Sequence, residues 1–117
     1  MSDFSPNLAM PFIMPAQAQK HVTHNEAVEV LDTLVQMALE ATGAETPPAT
    51  PAEGQAWGLG AAPTGDWAGQ AGAIASYRGG GWEFYAPGEG WIGWVKDAGE
   101  LRVHTGGAWA TLAVQST

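Results

Sequence analysis

The stretch from residue 14 to residue 41 constrains this chain most, because it carries more apolar surface than one short helix can hide on one side. Ala27, Leu31, Leu34, Ala38 and Ala41 recur at steps of four, three, four and three, the a and d spacing of a helix seam. Val28, Val35 and Leu39 widen that strip, and Val30 and Met37 extend it. Thr23 and Glu26 stand in the spacing of a capping box, in which each side chain satisfies the other residue's amide. The pattern predicts a helix from about His24 to Ala41 that stops at Thr42-Gly43, where glycine can take a left-handed cap. A strip this broad needs cover from more than one direction. The expectation is a helix that packs on copies of itself or on a partner through Ala27, Leu31, Leu34, Val35 and Ala38.

The flanks of the helix differ in kind. Residues 1–15 contain Pro6, Pro11 and Pro15 and cannot be helical, yet Leu8, Met10, Phe12 and Ile13 are large and apolar. This arm must dock, either on its own domain or on a neighbouring subunit, and residues 7–13 suit an extended edge strand. Residues 42–56 hold three prolines among small residues and read as a semi-extended connector. Beyond it, from Trp57 to Thr117, lie all six tryptophans and 14 of the 16 glycines. There, runs such as Ile74–Tyr77, Trp82–Tyr85, Trp91–Val95, Glu100–His104 and Ala108–Val114 alternate with glycine turns, as short strands do. Arg78-Gly79-Gly80-Gly81-Trp82 and His104-Thr105-Gly106-Gly107-Ala108-Trp109 both set a double glycine just before a tryptophan. The expected fold class is α+β. Arm and oligomerisation helix occupy 1–41, the connector 42–56, and an antiparallel meander of five to six strands 57–117.

Charge and residue usage narrow the chemistry. With 12 acidic and four basic residues the net charge is −8, which disfavours binding to nucleic acid or to an anionic membrane surface. There is no cysteine, so disulfides and thiolate metal sites are ruled out. Prolines interrupt the apolar residues 8–14 and no basic region precedes them, so they do not read as a signal peptide. No run is long enough for a membrane span. His21 and His24 are the only close histidine pair, and no third ligand stands nearby, so neither metal nor other cofactor is expected. No serine sits in a nucleophile context and no carboxylate pair looks activated, so catalysis is not expected.

The dense aromatics suit a small β core. They also suit a platform for a sugar, for which Trp67, in a loop beside Asp66, is the best exposed candidate or equally a lid on the core; Trp91 and Trp94, which bracket Ile92-Gly93 and are not expected to share a strand face, are further candidates.

Residues 15–27, Pro-Ala-Gln-Ala-Gln-Lys-His-Val-Thr-His-Asn-Glu-Ala, carry a resemblance, together with Asn7-Leu8, Leu31-Asp32 and Leu34-Val35-Gln36. The segments Thr64–Gly69, Gly80–Phe84 and Pro87–Trp91 extend it. The chain resembles a domain of unknown function of prophages and gene transfer agents, which in longer members begins tail-fibre or head-spike proteins. The resemblance implies a virion protein: the base or adaptor of a head spike or tail fibre on a phage-like particle assembled in the bacterial cytoplasm. It implies itself as partner, as a trimer or pentamer, and other particle proteins at a capsid vertex or fibre. The aromatic platform adds host capsular or cell-wall polysaccharide as an alternative partner.

Overall fold

A computed structural model describes residues 3–12 and 20–112, with the backbone alone for 20–23. The chain divides into two compact units, Met1–Met37 and Ala38–Thr117. Among the described residues one helix and seven strands in two sheets make it an α+β protein.

In the first unit, helix α1 spans Lys20–Leu34. It begins before and ends before the expected helix. Thr23 lies inside α1 and does not cap it, since nothing in Lys20-His21-Val22 breaks a helix and the first turns run through them. At the other end the amide of Val35 still reaches the Leu31 carbonyl at 2.8 Å, and Gln36 then turns left-handed at φ 56°. A non-glycine residue thus makes the stop, well ahead of Gly43. The cause lies in the next stretch of chain. Ala38 and Leu39 leave the helix to form strand β1 (Ala38–Leu39), and Leu39 is completely buried there. Pairing in a sheet overrides the helix preference of Ala38 and Leu39, and the Ala41 carbonyl is taken by the Gly58 amide. Ala38 therefore does not belong to the helix strip.

The arm does not run out as an edge strand. Residues 3–12 fold back on themselves: Phe4 bridges Pro11, the Ser5 amide donates to the Met10 carbonyl at 2.9 Å, and Phe12 donates to Asp3 at 2.9 Å. The turn is held by Asp32 of α1, which is only 1% exposed. Its carboxylate accepts from the Ser5 hydroxyl, from the Asn7 amide at 2.9 Å, and from the Leu8 amide. A buried carboxylate has to be matched by donors in this way, because desolvating it unpaired is costly. Among the described residues the arm packs on its own unit. Ile13 and residues 14–19 lie outside them.

The second unit contains strands β2 (Ala56–Gly58), β3 (Ile74–Arg78), β4 (Gly81–Tyr85), β5 (Ile92–Val95), β6 (Glu100–Thr105) and β7 (Ala108–Thr111). The meander is split: β2-β3-β4 form one sheet and β1-β5-β6-β7 the other. All neighbours are antiparallel except β1 with β5, where Ala38 meets Trp94 and Leu39 meets Val95 in parallel. The proline-rich segment is no free connector. Ala44 bridges Leu59 in parallel, and the Gly58 and Gly60 amides donate to Ala41 and Ala44 at 2.9 Å each, so this ladder links the two sheets.

The double-glycine repeat resolves into two hairpins of one design. Arg78 pairs with Gly81 across Gly79-Gly80, and Thr105 with Ala108 across Gly106-Gly107. All four turn glycines have positive φ, between 61° and 83°, as a two-residue type I′ turn requires. The next pair out, where side chains approach most closely, is Tyr77 with Trp82 in one hairpin and His104 with Trp109 in the other. Their rings meet edge to face at 5.1 Å and 5.0 Å.

The core of β2-β3-β4 is built around a hole. Trp57 faces Ala75, and Ala75 faces Phe84, so a small residue lies between two large ones on one sheet face. Trp67, from the single 3-10 turn Gly65–Trp67, fills that hole and is completely buried. Its ring lies 5.7 Å from Trp57 and 5.2 Å from Trp82.

Two carboxylates fasten the loops of the other sheet. Glu89 accepts from the Thr105 hydroxyl and from the Gly106 amide, and these donors hold its carboxyl below the usual range. Glu100 is lowered in the same way, first by Arg102 and then by Thr111.

Two outcomes test this architecture. Asp32→Ala frees the Asn7 and Leu8 amides, each losing a bond to a charged acceptor worth about 1.5–3 kcal/mol, so both should exchange with deuterium much faster while α1 amides stay protected. Trp67→Ala empties the hole over Ala75 and should cost about 3–5 kcal/mol in thermal or denaturant unfolding.

Candidate functional site

Buried side chains leave few groups free to act on anything outside the chain. Three features of the surface remain: the free side of α1, the outer face of the four-stranded sheet, and a cleft between the sheets.

On α1 the side that carries Val28 and Asp32 is buried, 7% and 1% exposed, and the arm is fastened to it. The other side is open. Leu31 is 48% exposed and Val35 46%, with Val30 beside them at 37%; Ala27 is exposed and Leu34 half-buried. Four of the five residues expected to make contacts thus form one continuous apolar strip. Ala38 is the fifth, removed to β1.

The sheet face is legible from register. Ile92 pairs with Val103, Trp94 with Leu101, and Val103 with Ala110, so these side chains share one face. The Leu112 amide donates to the Leu101 carbonyl and places Leu112 on that face too. Ile92, Trp94, Leu101 and Leu112 are 39–48% exposed, and none of these residues is charged. Natural sheets usually put polar residues on a face turned to water. An apolar patch of this kind marks a contact surface.

The three tryptophans put forward for a sugar lie in different settings. Trp67 is fully buried under the core and cannot stack on a ligand, because the hole over Ala75 takes its whole ring. Trp91 lies half-buried against Gly88, whose missing side chain leaves room for the indole: a Cβ there would sit 2.6 Å from Nε1. Only Trp94 is broadly exposed. The three do not converge on one site.

Sequence reasoning misses the cleft. Two cavities, of about 500 and 550 Å³, share Ala71, Gly72, His104 and Gly107. Trp109 forms part of one wall, with its indole against Gly58, where a Cβ would come within 2.9 Å of Nε1. Nδ1 of His104 and Nε1 of Trp109 are buried without a hydrogen-bond partner among the described residues. Glu89, which is fastened to Thr105 and Gly106, lies near enough to His104 for the imidazole to add to the lowering of its carboxyl, and the residues lining the two cavities bring no further carboxylate. The repeat of double glycine and tryptophan is the only trace of this cleft in the sequence. Among the described residues no three of His, Asp and Glu come together as a metal site, and the side chain of His21 lies outside them. No described helix is long and apolar enough to cross a membrane.

Comparison with known proteins adds one relationship. No curated protein and no solved structure matches the chain. The model of a family of proteins of unknown function, DUF2793, matches residues 24–110, which takes in most of α1 and nearly all of the β unit. The chain belongs to the DUF2793 family.

Proposed function

We propose that the chain is a non-catalytic structural element of a phage-like particle, the base or adaptor of a head spike or tail fibre, which assembles as a symmetric homo-oligomer around α1. One observation carries the assembly part. Leu31 and Val35 stand about half exposed on a helix whose opposite side is already covered by the arm. An apolar strip left open after the unit has packed its own arm is the feature of a helix meant to meet another helix. The placement on a particle is supported by the resemblance carried by residues 15–27 and the glycine–tryptophan segments. Aromatics spent on packing, Trp57, Trp67 and Trp82, fit a structural part.

A second reading keeps the polysaccharide of a host surface as ligand. It now rests on Trp94, 45% exposed beside Ile92 and Leu101, with Trp91 at the edge of the same strand.

Because Leu31 is exposed within the unit, Leu31→Asp should leave the fold intact. In an assembly it would bury an unpaired charge at a cost of about 3–5 kcal/mol. Light scattering behind a sizing column should therefore show threefold or fivefold association in wild type and its loss in the variant, with unchanged circular dichroism. A wild-type monomer at micromolar concentration would overturn the assembly reading. For the second reading, capsular polysaccharide should shift the tryptophan fluorescence of wild type and not of Trp94→Ala. No shift in wild type removes it.

A further inference from the structure

Among the described residues the four-stranded sheet has one open edge. At its β1 side the ladder continues, because the amides of Glu40 and Gly58 and the carbonyls of Ala41 and Ala56 tie that segment to the other sheet. At the β7 side the order ends. Register tells which groups of β7 are spoken for. Thr105–Ala108 and Val103–Ala110 are the hydrogen-bonded pairs, and Leu112 donates back to Leu101. Trp109 and Thr111 alternate with these, so their amides and carbonyls point outward, away from β6.

Open edges in natural proteins are blunted by lysine, proline, a bulge or a cover. This one is not. From Thr105 to Leu112 there is no charged residue and no proline, and every residue from Ala108 to Leu112 except Trp109 is exposed. The open edge of the other sheet, β4, carries Glu83. In a chain of net charge −8, an uncharged strip is where two copies approach with least repulsion.

We infer that β7 is a self-pairing edge: two copies of the chain join antiparallel, β7 to β7, about a twofold axis at Ala110. The occupant is set by the register. If Ala110 faces its own equivalent, Trp109 faces the partner's Thr111, and these are the residues whose amides and carbonyls point outward. Each such pair exchanges both of its hydrogen bonds. On the apolar face, Ala110 then meets the partner's Ala110, and Leu112 meets the partner's Ala108. A large side chain meets a small one and nothing collides. The contact is isologous, so it closes at two copies and does not run on into a filament. It goes beyond the assembly through α1 and does not depend on it.

The absence of cysteine makes the test clean. Ala110→Cys puts two thiols across a non-hydrogen-bonded antiparallel pair, about 4.5 Å apart at Cα, within the range a disulfide spans. Under mild oxidation it should form a disulfide dimer at least about tenfold faster than Ala98→Cys, an exposed turn control, since pairing raises the local thiol concentration above bulk. Ala108→Cys alone should not outpace that control, but its mixture with Leu112→Cys should. Thr111→Pro removes an outward amide that β6 does not use, together with the hydroxyl that bonds Glu100, so Thr111→Val, which loses the hydroxyl alone, is its control. Added to Ala110→Cys, Thr111→Pro should abolish the advantage without changing the circular dichroism. All rates are read in the Leu31→Asp background, which disables the helix interface. If Ala110→Cys cross-links there no faster than the control, or if Ala108→Cys alone does as well, the edge does not pair in this way and the inference fails.

Discussion

The parallel pairing of Ala38 and Leu39 with Trp94 and Val95 is the contact on which the rest of the structure depends. Only two residues of β1 are involved, yet they do three things. They end α1 at Leu34 by drawing the next residues into a sheet. They bury Leu39 and Val95, neither of which has any exposed surface. They also start the extended run that continues through Ala44 against Leu59 and so ties the two sheets of the second unit together. A helix that ran on to Ala41 would leave Trp94 and Val95 at a bare edge and remove the link between the sheets.

Tryptophan is used in two ways here, and the difference is one of neighbours. Trp57, Trp67 and Trp82 pack around a small central residue, Ala75, with Trp82 edge to face against the other two and Trp57 tilted against Trp67. Such pairs add about 0.5–1.5 kcal/mol each beyond the area they bury. Trp94 has the same side chain but pairs with Leu101 on a face with nothing packed over it among the described residues. Composition treats these residues alike; only the strand order separates them.

That contrast bounds what could be read from the sequence. The α+β class, the helix, the hairpin turns at Gly79-Gly80 and Gly106-Gly107, and the open strip of Ala27, Leu31, Leu34 and Val35 are legible, because each is written in local spacing. Four things are not. The helix end is misplaced by periodicity, since Ala38 and Leu39 are good helix residues and their strand partners lie far along the chain. Trp67 looks like a loop residue free to bind, since the hole over Ala75 exists only once β2, β3 and β4 are paired. The clamp on the arm is hidden, since Asp32 reads as an ordinary polar position on a helix until Ser5, Asn7 and Leu8 are brought to it. The apolar face of the second sheet is hidden for the same reason: it is assembled from β5, β6 and β7 by register alone.

The long separation between β1 and its partner has a consequence during synthesis. A ribosome releases α1 and the residues after it well before Trp94 and Val95 exist. Until then nothing holds Ala38 and Leu39 in a strand, and the favoured local state of residues 35–41 is more helix. Any helix formed there before β5 is made is free to run on past Leu34 and to carry Leu39 in its apolar strip. Completing β5 shortens that helix, withdraws Leu39 from the strip, and sets which part of it is left for another molecule to meet.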